Sequence, residues 1–177
     1  MKHFNLIILT LILTVSGFAQ QPGLILNPEP PRVEGQEGVL QLAVASIPTV
    51  RVGFIGLGGR GSAAVSRYTF IDGIEIKGLC DLKTDAVKQS QSTLKKRGFK
   101  PASEYIGHDA WKKLCERDDI DLIYICTDWL NHTPIAVYAM EHGKHVAIEV
   151  PAATTIEECW QLVDTAERTR KHCMMLE

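Results

Sequence analysis

Val50-Arg51-Val52-Gly53-Phe54-Ile55-Gly56-Leu57-Gly58-Gly59-Arg60-Gly61 is the stretch whose reading decides the fold. A β-branched, apolar run leads straight into G-x-G-x-x-G, and helix-compatible residues follow over 62–68. Strand, tight turn and helix in that order are what a dinucleotide-binding turn requires. Gly56 permits the turn, Gly58 lets the backbone come close to a pyrophosphate, and Gly61 lets the helix pack on the strand. Free N–H groups at the helix start attract the anion. Glycine-rich turns that bind nothing are common, so the motif has to be tested against its context.

The context begins with an acid. Asp81 closes the next strand-like run, residues 74–80, and lies 25 residues after Gly56, near the roughly 20 expected of a ribose-binding carboxylate. Its oxygens are placed to accept both ribose hydroxyls. The same residue type also caps helices, here one starting near Lys83, and the two roles are compatible. A carboxylate at this point repels a 2′-phosphate and favours NAD over NADP, a preference that Arg60 and Lys83 nearby temper.

Outward from this unit, 177 residues allow one domain with a sizeable core, and 19 basic against 21 acidic residues give no nucleic-acid surface. Lys2 and His3 precede an apolar run over residues 6–15 and then Ser16-Gly17-Phe18-Ala19. This reads as a secretory signal cut after Ala19, too short to be a stable membrane anchor. Export to the periplasm or beyond is the expectation. Residues 20–49 carry Pro22, Pro28, Pro30, Pro31 and Pro48 with Gly23, Gly35 and Gly38, a linker or surface-hugging arm in which only residues 39–44 suit a short strand.

Beyond Asp81 the spacing predicts a mildly amphipathic helix over residues 84–97 and a brief third strand over 103–106. Asp109 is expected to cap a helix burying Trp111, Leu114 and Cys115. Residues 122–126 form a continuous apolar run of the kind covered on both faces. Thr133-Pro134 is expected to open the next helix, which Gly143 ends. Strand five is 146–148. Thr155 and Glu158 have capping-box spacing for a last helix whose apolar face repeats as Ile156, Cys159, Trp160, Val163 and Ala166. A sixth strand closes the chain. Strand and helix alternating six times argue an α/β fold, a Rossmann-type doubly wound parallel sheet spanning residues 50–177.

Ligands of such a sheet sit beyond the carboxyl ends of its strands. There lie Gly56 to Gly61, Asp81, the run Thr127-Asp128-Trp129-Leu130-Asn131-His132, Glu149 and Glu177. Trp129 and His132 either face a cofactor, through an indole face and an imidazole N–H, or pack under neighbouring structure. Glu149 either binds a ribose or caps a loop. Five cysteines without C-x-x-C pairing read as buried free thiols. Scattered histidines give no zinc site, and a G-x-S-x-G elbow is absent.

The combination of Gly56-Leu57-Gly58-Gly59-Arg60-Gly61, Cys80-Asp81, Cys126-Thr127-Asp128-Trp129-Leu130-Asn131-His132 and Glu149-Val150-Pro151-Ala152-Ala153 resembles the N-terminal domain of the Gfo/Idh/MocA oxidoreductase family. Within it, the chain is most similar to glycoside hydrolase family 109, the NAD-dependent α-N-acetylgalactosaminidase-like group. The resemblance implies NAD as cofactor. It carries Gly56, Gly58, Gly59, Arg60, Gly61, Asp81, Thr127, Trp129, Leu130, Asn131, His132, Glu149 and Val150 over as cofactor contacts. Sugar and inositol dehydrogenases of the wider family carry Glu-Lys-Pro after strand five, with the lysine assisting proton transfer. Here Val150 takes that place, as in the family 109 branch.

The implied chemistry is a redox-neutral glycoside cleavage, an exception to the two-carboxylate scheme. It suits an exported protein that has no route to reoxidise NADH. The family's substrate domain would follow Glu177, so the expectation is a cofactor domain without catalytic residues of its own. It would be inactive alone, with a bare apolar face that favours association into oligomers. A glycoside or sugar would be its partner once a second domain completes it. The alternatives are a sugar or inositol dehydrogenase with its proton-transfer group elsewhere, and a non-catalytic nucleotide-binding module.

Overall fold

The structure, a computed structural model, describes residues 32–176. The expected signal over 1–19, the arm up to residue 31, and Glu177 lie outside the described residues. Among the described residues, six strands alternate with five helices. These are β1 (Val50–Ile55), α1 (Gly59–Tyr68), β2 (Ile74–Asp81), α2 (Thr84–Lys96), β3 (Ser103–Ile106), α3 (Ala110–Cys115), β4 (Leu122–Ile125), α4 (Trp129–Glu141), β5 (His145–Ile148), α5 (Ile156–Thr169) and β6 (Cys173–Met175). The sheet is parallel throughout, in the order β3-β2-β1-β4-β5-β6. The order reverses between β1 and β4, which makes the space above their carboxyl ends the switch point.

Side-chain alternation sorts the core into two layers. Val52, Phe54, Tyr124 and Ala147 pack with Ala64, Val65, Val87 and Leu94 of α1 and α2. Ile55, Ile123, Ile125 and Ile148 pack on the other face with Leu114, Ile135, Met140 and Leu162 of α3, α4 and α5. A slip in the β1–β2 register between Val52 and Gly53 lets Ile76 and Leu79 enter the same layer, although their spacing is odd. Below the strands, Arg51 donates to both oxygens of Asp121, at 2.8 and 2.5 Å, pinning the chain entering β4 beside β1.

Four expectations change. Residues 39–44 form no strand; the arm is held instead at residues 32–38, where Arg32 and Gln36 donate to Glu167 of α5. Asp109 makes no capping bond and pairs with Lys112 at 2.8 Å. α4 does not open at Thr133-Pro134: it begins at Trp129, so Trp129 to His132 form its first turn and Pro134 lies inside the helix. The helix forgoes there only the bond to the carbonyl of Leu130, at its exposed end. On α5 the buried residues are Leu162, Thr165, Ala166 and Glu167, while Ile156, Cys159 and Val163 face outward. The buried side of that helix is chosen by α4 and by the arm, and neither is visible in the helix's own periodicity. The Thr155–Glu158 capping box is present as expected.

Candidate nucleotide-binding site

Three turns leave the sheet at one level because the ladder runs past the strand ends. Gly56 N–H donates to Cys80 O at 2.9 Å, Cys126 N–H to Ile55 O at 2.8 Å, and Glu149 N–H to Ile125 O at 3.0 Å. Gly56 has φ +88° and lies so close to β4 that a Cβ would strike the Cys126 carbonyl. A Cβ at Gly61 would strike the carbonyl of Gly56, so α1 leaves the turn with no room for any side chain. α1 starts at Gly59, three residues ahead of the sequence expectation, and Gly58 stands at its N-cap. Among the described residues, and apart from the chain immediately adjoining, no heavy atom lies within 4 Å of a Cβ built on Gly58 or Gly59. That open backbone at a helix N-terminus is the concavity a pyrophosphate fills, so these residues fit a dinucleotide.

Asp81 organises the next part. Its Oδ2 accepts the Leu57 N–H at 2.6 Å and its Oδ1 accepts the Lys83 N–H at 2.8 Å. It therefore ties the glycine turn to the end of β2. It does not cap α2, whose N-cap is Lys83 without a side-chain bond. Asp81 faces a cleft of about 270 Å³ shared with Gly58, Leu82, His108, Trp111 and Asn131. Leu82 and His108 escaped the sequence reading, and Trp111, expected only as a buried residue of α3, lines the cleft. The signal for His108 was available, because it follows the carboxyl end of β3, but a four-residue edge strand draws little notice.

The opposite side of the site comes from the loops after β4 and β5. Thr127 and Asn131 line the cleft, and Asn131 donates to Asp128 at 2.7 Å, holding the Asp128 carboxyl below its usual range. Trp129 and Leu130 are exposed, at 63% and 73%, on the first turn of α4. His132 is buried, its ring nitrogens 2.7 Å from Pro151 O and 3.2 Å from Thr127 O. Glu149 is buried as well: Tyr124 donates its hydroxyl at 2.5 Å and Arg60 its Nε at 3.0 Å. Burial opposes its ionisation, but those two donors outweigh it and keep the carboxyl below the ordinary glutamate value. Val150, next in the chain, is exposed. In the cleft wall, burial pushes the Cys80 thiol up to about 12 and the Cys126 thiol up to about 11, so neither is a nucleophile at neutral pH.

Comparison with known proteins agrees with this geometry. The profile of the Gfo/Idh/MocA oxidoreductase family, NAD-binding Rossmann fold, matches residues 50–177. The chain is 58% identical over 146 residues to an alpha-N-acetylgalactosaminidase of Bacteroides fragilis, covering 82% of this chain and 34% of that protein. It is 53% identical over 178 residues to glycosyl hydrolase family 109 protein 1 of Bacteroides thetaiotaomicron, covering 98% and 38%. The chain thus spans about a third of the length of these relatives. Among solved structures, the WlbA dehydrogenase of Chromobacterium violaceum, in complex with NADH and UDP-GlcNAcA, superposes with a TM-score of 0.62 at 22% identity, over 75% of this chain and 36% of that one. The 3-ketoreductase KijD10 of Actinomadura kijaniata, in complex with NADP and TDP-benzene, gives 0.61 at 24% identity, over 72% and 37%. Their likeness is one of fold. With the glycine turn, the carboxylate after β2 and the family profile in agreement, the chain belongs to the Gfo/Idh/MocA oxidoreductase family and carries its NAD-binding Rossmann domain.

Proposed function

We propose that this domain holds NAD for a redox-neutral glycosidase of the family 109 type, acting on an N-acetylated amino sugar outside the cytoplasm. The observation that carries the reading is Val150, an apolar residue where the family's dehydrogenases place a titrating lysine, in a chain 58% identical to a protein named alpha-N-acetylgalactosaminidase. Glu149 is no substitute as a base, since, against the opposing effect of burial, Tyr124 and Arg60 hold its carboxyl below the ordinary glutamate value. The leader-like residues 1–19 support export.

Bound nicotinamide would supply a hydride acceptor that oxidises the sugar at C3 and later returns the hydride, which permits loss of the C2 proton, departure of the glycosidic oxygen and addition of water between the two. The part of this chain is to bind and orient. The amides at Gly58, Gly59 and Arg60 and the N-terminus of α1 take the pyrophosphate, with Gly56 and Gly61 shaping the turn. Asp81 takes the ribose hydroxyls. Thr127 with Trp129, Leu130 and Asn131 on the first turn of α4, and Glu149 and Val150 on the loop after β5, form the nicotinamide end, with His132 buried behind it.

Incubating the native protein with a nitrophenyl α-N-acetylgalactosaminide tests the reading. Release of nitrophenol without net NADH is the expected result. Accumulation of NADH from a free sugar would establish a dehydrogenase instead, and NAD binding with neither reaction a non-catalytic module.

A further inference from the structure

We propose that His132 is a positioning residue that, with Thr133, clamps the loop after β5 to the start of α4 and thereby sets the site for the nicotinamide half of the cofactor. Its ring is 1% exposed and has no nitrogen left for a ligand. Nδ1 lies 2.7 Å from the carbonyl of Pro151 and Nε2 3.2 Å from that of Thr127, and the shorter contact takes the N–H of the ring. Thr133 donates its hydroxyl to the next carbonyl along, Ala152 O, at 3.0 Å. Two adjacent side chains on the first turns of α4 therefore hold consecutive carbonyls of the β5 loop. At its other end the same loop is fixed through Glu149, by Tyr124 and Arg60. Between the two anchors Val150 keeps an exposed side chain. A loop pinned on both sides of one apolar residue presents that residue as a rigid surface, the kind of preorganisation that lowers the ordering cost of binding.

The inference rests on the proposed placement of the nicotinamide end at residues 149–150, and it separates from NAD binding as such by comparing NAD with ADP-ribose. Titration of the full chain with each ligand reads both affinities. His132→Leu is expected to weaken NAD about tenfold while ADP-ribose changes by less than about twofold. His132→Asn, which retains a donor for Pro151 O, is expected to recover most of the loss. Thr133→Val, which removes one hydroxyl at nearly constant volume, gives the same split at about threefold and serves where His132→Leu does not fold. Parallel weakening of both ligands, no change in either, or no recovery in His132→Asn would overturn the clamp. If the unsubstituted chain gains nothing from the nicotinamide half, the placement at residues 149–150 falls and the clamp with it.

Discussion

The turn after β1 and the loops after β4 and β5 face each other across one site, yet they are made of different material. The turn is limited by backbone: a methyl group at Gly56 or Gly61 would strike a carbonyl of the protein itself. The loops are held by side chains, Tyr124 and Arg60 on Glu149, His132 and Thr133 on carbonyls of the facing segments. A backbone-limited turn admits one residue type and so announces itself in sequence. A loop fixed by side chains accepts many solutions, with partners up to 89 residues away.

Gly61→Ala is the most severe way to break the contrast. Its Cβ has no space to relax into, and a loss of about 3 kcal/mol or more is expected in chemical denaturation. A stable Gly61→Ala protein with unchanged NAD affinity would show that side chains, not backbone, limit the turn. Asp81→Ala comes next, because this residue joins the two kinds of construction by bonding the Leu57 amide with a side-chain oxygen. NAD affinity should fall about 10- to 100-fold with the circular dichroism spectrum unchanged.

Glu149→Gln sharpens the comparison from the loop side, with an expected cost of about 1 kcal/mol at pH 7. The folded Glu149 carboxyl lies below the ordinary glutamate value, which is about 4.3. Its stabilisation is therefore full above that pH and is lost as pH falls through the depressed folded value. Denaturation midpoints of the wild type and Glu149→Gln should converge in acid. A gap that widens on acidification would mean that Glu149 is held neutral rather than charged.

What was legible in the sequence follows the same division. The glycine turn, Asp81 at the end of β2, the alternating strands and the Thr155–Glu158 capping box rest on neighbours in the chain, and all appear where the residues predict them. Thr133-Pro134 misled because proline at a first helical position is a strong local rule, whereas α4 begins five residues before that proline. The apolar stripe of α5 misled for a different reason. Ile156, Cys159 and Val163 obey the helical period yet are exposed, whereas Glu167, one turn beyond Val163 on the same stripe, is buried because Arg32 and Gln36 meet its charge there. His108 and Leu82 were missed at the short edge of the sheet, where hydrophobic pattern is thinnest and ligand contact leaves no periodic mark.

The arm has a kinetic meaning as well. Its bonds from Arg32 and Gln36 to α5 join residues 128 to 135 positions apart, among the most distant pairings of the described residues. Contacts of such high order close only after the intervening sheet exists, and a handful of polar bonds is a small return for so long a closure. The arm is thus expected to seat last in folding and to peel first, so that α5, sealed by residues 32–38, reports when the sheet behind it has been assembled.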